Sequence, residues 1–119
     1  MVKAIRIVTA VVLLQGLYAT AAYSAQWCTG TIRGFYIDSG GGLLISTSYY
    51  GAWTQICNTT TTWKGIVPDL CKAWLAVVNT LQVTQQQAIV FYNEDTACNA
   101  LPTYGATPSP GYVMVYPVP

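Results

Sequence analysis

The sequence predicts a small, mainly β domain of the α+β class, with five strands and one helix. Three observations predict it. Five short runs are β-branched and aromatic, each bounded by Gly, Pro, Asn, Asp or Ser. One run between the third and fourth repeats its apolar residues at helical spacing. The chain has 119 residues, four cysteines and only 8% charged positions, which fits one domain stapled by disulfides.

The N-terminus reads as an export signal over residues 1–25. Lys3 and Arg6 precede the apolar run Ile7–Leu17, and small residues follow through Ala25. Ala22-x-Ser24 is one cleavage pattern, and cleavage after Ala25 is another. A membrane anchor is the weaker reading, because the run contains Gln15 and is shorter than the ~20 residues a span needs. Residues 26–119 then form the domain. Arg33, Lys64 and Lys72 face Asp38, Asp69, Glu94 and Asp95, a formal charge of −1. The expected location is secreted or periplasmic.

Thr31–Ile37 is the first strand. Asp38-Ser39-Gly40-Gly41-Gly42 turns the chain, because glycine accepts positive φ. The glycines do not match a phosphate-binding loop in spacing, and a strand follows them, not a helix. Leu43–Tyr49 returns as the second strand, and Trp53–Cys57 is the third. Asn58–Thr62 is a polar loop that includes the sequon Asn58-Thr59-Thr60. A helix starts at Val67-Pro68-Asp69, where proline suits the first turn and the carboxylate meets the positive dipole end. Leu70, Cys71, Trp74, Val77, Val78 and Leu81 trace its inward stripe. Val83–Gln87 is a polar exit, Ala88–Tyr92 the fourth strand and Asn93-Glu94-Asp95 an acidic turn. Cys98–Gly111 is a proline-containing loop, and Tyr112–Tyr116 is the fifth strand.

Three strands, a helix and two strands is the order of a five-stranded OB-like Greek-key barrel with its helix between strands 3 and 4. An antiparallel sheet with one packed helix accepts the same order. Four cysteines allow three pairings. Cys57–Cys71 closes a short loop, and Cys28–Cys98 then ties the start of the domain to its later half. A zinc site lacks both Cys-x-x-Cys and histidine, so no metal or other cofactor is expected.

The chain also resembles a known group. Export signal, short disulfide-bonded domain and element order resemble the B subunits of bacterial AB5 toxins, particularly the subtilase-cytotoxin and pertussis-like group. That resemblance covers Pro68–Tyr92 and the aromatic strand before it. Cys28-Thr29-Gly30 and Cys71-Lys72-Ala73-Trp74 are similar to motifs of other small exported bacterial proteins. The toxin resemblance implies a pentamer that binds a cell-surface glycan, and it carries over no binding residue.

Composition narrows the chemistry. Without histidine there is no imidazole base, shuttle or metal ligand. No motif joins the four carboxylates into an acid–base pair, so the protein reads as not an enzyme. No cationic groove is present for nucleic acid. The expected partner is a cell-surface glycan or protein, with self-association into an oligomer. Tyr49, Tyr50, Trp53 and Trp63 flank the second and third strands and the loop after them, and are the candidate ligand-binding residues. With only two Phe in the chain, Tyr and Trp must also supply core bulk.

Overall fold

The computed structural model describes residues 25–117, so the export segment expected at 1–25 lies outside them apart from Ala25. The elements are β1 (Gln26–Ile37), β2 (Gly42–Thr47), β3 (Thr54–Asn58), α1 (Pro68–Thr84), β4 (Gln87–Tyr92) and β5 (Tyr112–Val115). The five strands form one sheet in the order β3-β2-β1-β4-β5, and every neighbouring pair is antiparallel. The mainly β, α+β class stands as the sequence predicts.

β1 starts five residues before its predicted first residue, Thr31. Its first half, Gln26–Thr31, pairs with β4, and its second half, from Ile32, pairs with β2 on the opposite edge. The register shifts between Ile32 and Gly34, a bulge that separates the two halves. Cys28, Gly30 and Ile32 point inward, and Trp27 and Thr29 point out. Gly30 supplies space at this point: a side chain there would collide with Ser48 Oγ and meet the Tyr49 ring at 3.1 Å.

At the β1–β2 turn Asp38 Oδ1 accepts the N–H groups of Gly40 and Gly42, each at 2.9 Å. Gly41 has φ +89, which glycine adopts without strain. The polar loop after β3 is bonded to this turn. Asn58 Nδ2 and Thr60 Oγ1 donate to Gly40 O, and Thr59 N and Oγ1 donate to Gly41 O. The Asn58 amide of the sequon is therefore committed to the fold.

β2 ends at Thr47, short of Tyr49, because the chain turns there. Thr47 N donates to Tyr50 O, and Tyr50 N donates to Thr47 Oγ1. The expected polar exit at Val83–Gln87 is split. Val83 and Thr84 are helical, Gln85 caps the helix in the left-handed region, and Gln87 opens β4. Thr80 and Thr84 donate to carbonyls one turn back, so polar residues continue the helix without unpaired hydroxyls.

Cys71, Trp74, Val78 and Leu81 of α1 are buried against Ile32, Leu43, Ile45, Ile56, Val90 and Tyr92. Fully burying each such aliphatic side chain is worth ~1.5–3 kcal/mol. Leu70 departs from the expected stripe: it is exposed, at the outer margin of the helix's first turn. α1 packs against β1, β3 and β5. Cys57–Cys71 ties its first turn to β3, and Cys28–Cys98 ties β1 to the loop before β5. Their Cα–Cα distances, 5.4 and 5.5 Å, suit ordinary disulfides. The loop before β5 also touches β3. Gln55 N donates to Tyr104 O at 3.2 Å and Tyr104 N to Trp53 O at 2.8 Å, a parallel bridge. Among the described residues no helix is long and apolar enough to cross a membrane.

Candidate functional site

The four aromatics singled out from the sequence do not converge. Tyr49 turns inward across Gly30, and its hydroxyl is buried. Burial pushes its pKa up from 10.0 to about 12. Burial, with the Tyr49 phenol beside it, also raises that of Tyr92. The Thr47 and Thr54 hydroxyls oppose these shifts, but neither phenol has a hydrogen-bond partner of good geometry. Thr47 Oγ1 donates instead to Tyr50 O. Tyr50 is half-buried against the core and donates its hydroxyl to Leu101 O at 3.0 Å. Tyr50 thereby holds the end of β2 to the loop before β5.

Trp53 lies on the outer side of the sheet, over Gly34. A Cβ there would come within 3.2 Å of its ring. Tyr36 meets Trp53 edge to face at 4.8 Å. Trp63 is elsewhere, in a tight turn closed by two backbone bonds with Ile66. Lys64 and Gly65 at its centre both have positive φ, as a type I′ turn needs. The Lys64 ammonium lies 4.8 Å from the Trp63 ring centre and donates to Gly105 O and Thr107 O. Lys64 thereby fastens the β4–β5 loop to this turn. Lys64, Glu94, Thr96 and Ser109 are among the residues lining an open cleft there of ≈ 380 Å³. A second, more apolar groove of ≈ 410 Å³ runs between the end of β1 and α1, with Phe35, Ile37, Lys72 and Leu75 in its walls.

The structure assembles a different aromatic group. Trp27, Phe91 and Tyr112 are register partners on three adjacent strands, β1, β4 and β5, and share the outer face. Phe91 and Tyr112 stack at 4.8 Å with ring planes 8° apart. Trp27 tilts against Phe91 at 5.3 Å, and its indole N–H donates to Tyr112 Oη at 2.9 Å. Phe91 is thus enclosed, whereas Trp27 is 58% exposed. The next row on this face is Thr29, Ile89 and Met114, and neither row carries a charge. An exposed tryptophan is usually mobile. This one is held on one side by Phe91 and at its polar end by Tyr112, with the remaining ring surface in solvent.

Trp27 lies in the part of β1 before Thr31, the residue at which the sequence pattern starts the strand. The pattern was there: from Trp27 to Ile32 outward residues alternate with Cys28, Gly30 and Ile32. The long β4–β5 loop hid the pairing of Phe91 with Tyr112.

Among the described residues no three of His, Cys, Asp and Glu are grouped to hold a metal ion. The Asp38 carboxylate serves its turn, and Asp69 lies in the first turn of α1. No protein-family model matches the chain, and no curated protein or solved structure matches it either.

Proposed function

We propose that the chain is an exported, non-catalytic binding domain whose ligand is a neutral glycan. The observation that carries this reading is the exposed Trp27, hydrogen-bonded to Tyr112 and packed on Phe91, where the two nearest rows of the sheet face carry no charge. Apolar sugar faces stack on aromatic rings, and a ring fixed in advance loses little freedom when the ligand arrives. Trp53 with Tyr36 forms a second outward aromatic pair near the far end of β1. Nine residues separate Trp27 from Tyr36, ~30 Å along an extended strand. The two groups therefore act as separate stations.

Two further parts of the reading have their own support. Two disulfides fit an oxidising, non-cytoplasmic compartment, and the N-terminal pattern favours secretion or the periplasm. Strand order together with the parallel bridge from Thr54 to Tyr104 supports an OB-type barrel, in which the segment before the last strand closes against the third. The toxin-B-subunit resemblance rests on the export pattern, the short disulfide-bonded domain and the element order.

A glycan array tests the proposal. Neutral glycans are expected to bind, and Trp27→Ala is expected to weaken binding at least ~10-fold, the scale of one lost stacking contact. Tyr50→Phe, which loses only an internal bond, should bind as the parent does. An empty array, or binding indifferent to Trp27, overturns the reading. The runner-up is an envelope protein with a structural or inhibitory role. It is favoured by the uncharged outer edge of the sheet at β5.

A further inference from the structure

β3 and β5 are the two edges of the sheet, and they are finished differently. At β3 the loop around Tyr104 supplies backbone partners to Trp53 and Gln55. At β5 no strand among the described residues pairs with the outer side. Tyr116 N donates to Gln87 O, which sets the alternation of the β4–β5 ladder. Tyr112, Met114 and Tyr116 direct their main-chain groups toward β4. Val113 and Val115 direct theirs away by the same alternation, and outside the β4–β5 ladder they make no backbone bond to another described residue. Natural edges are blunted by charge, by a bulge, by proline or by short length, and β5 relies on the last two, being four residues long and followed by Pro117. Here residues 96–117 hold no charged side chain at all.

From this we infer that β5 pairs antiparallel with β5 of a second copy, about a two-fold axis through Met114. The outward groups are self-complementary under that operation. Val113 faces Val115 of the other copy, Val115 faces its Val113, and both pairs exchange N–H and C=O bonds. No like charges meet, because neither strand has any. Side chains agree with the same register. Val115, 41% exposed in one chain, is covered by the opposite Val113. Tyr112 falls directly opposite Tyr116 of the other copy on the outer face, so the aromatic row of Trp27, Phe91 and Tyr112 continues across the junction. This inference concerns the edge and stands apart from the identity of any ligand.

Sedimentation of the oxidised full chain is the test, with two variants. The parent is expected to be a dimer at micromolar concentration. Val115→Lys is expected to be a monomer with an unchanged near-ultraviolet circular dichroism spectrum. Met114→Cys places two thiols across the axis at a non-hydrogen-bonded position, where Cα atoms lie ~4.5 Å apart. It should form a covalent dimer in air that reduction releases. A parent that stays monomeric at high concentration overturns the inference. So does a larger ring insensitive to Val115→Lys, or a dimer that Met114→Cys fails to cross-link.

Discussion

Tyr92 is fully buried with an unpartnered hydroxyl, and beside it the hydroxyl of half-buried Tyr49 is buried and unpartnered too. A buried polar group without a partner costs ~1–3 kcal/mol. Tyr92→Phe is therefore expected to stabilise the fold by about 1 kcal/mol, read as a higher urea midpoint at unchanged slope. The same pair sets the alkaline limit. Each phenol keeps its proton in the fold to a higher pH than in the unfolded chain, so unfolding releases protons above pH 10.0. Stability is complete below that pH and falls as pH rises toward about 12. For Tyr49 the loss amounts to ~2–3 kcal/mol, and Tyr49→Phe should flatten the fall in urea midpoints. At this scale the sequence marks which residues are aromatic and hides which way they face. Tyr49 and Trp27 are both aromatic residues beside β-prone stretches. Gly30 admits the first to the interior, and alternation on β1 sends the second out.

Elements were more legible where the pattern is long. The helix is readable because Cys71, Trp74, Val78 and Leu81 recur on one face over three turns. Leu70 misled because it follows Pro68 and Asp69 in an entry turn that faces solvent. β1 was half-hidden, since glycine and cysteine carry little strand propensity and its first half is fixed by pairing with β4, sixty residues away in the chain. The Thr59–Thr60 segment reads as a plain polar loop, yet it clamps the glycine turn through carbonyl bonds that no local pattern encodes. The Cys57–Cys71 bridge joins two elements that the sequence already places side by side. Replacing both cysteines by serine is expected to cost ~2–4 kcal/mol in a denaturant titration while Cys28–Cys98 remains. Loss of the second bridge in peptide mapping would show that the two depend on each other.

At the scale of the molecule, the sheet presents four different boundaries: a helix-covered inner face, an aromatic outer face and two unlike edges. Element order was legible, and so were the class and the outline of the cysteine framework. The aromatic row was not, because it is assembled from three strands and exists only once the registers are set. The bridges themselves are nested, with Cys57–Cys71, 14 residues apart, enclosed within Cys28–Cys98, 70 apart. That nesting has a consequence in time. A chain delivered N-terminus first into an oxidising compartment presents Cys28 with Cys57 as its earliest available partner, a non-native pair. The native partner, Cys98, arrives last. Closing the shorter loop costs less chain entropy, so the inner bridge forms readily once Cys71 emerges, provided Cys57 is still free. Correct maturation then depends on thiol–disulfide exchange that returns Cys57 to Cys71. Production in a host lacking a disulfide isomerase is expected to yield a fraction joined Cys28–Cys57, visible by peptide mapping, whereas reoxidation of the full-length denatured chain should give less of it.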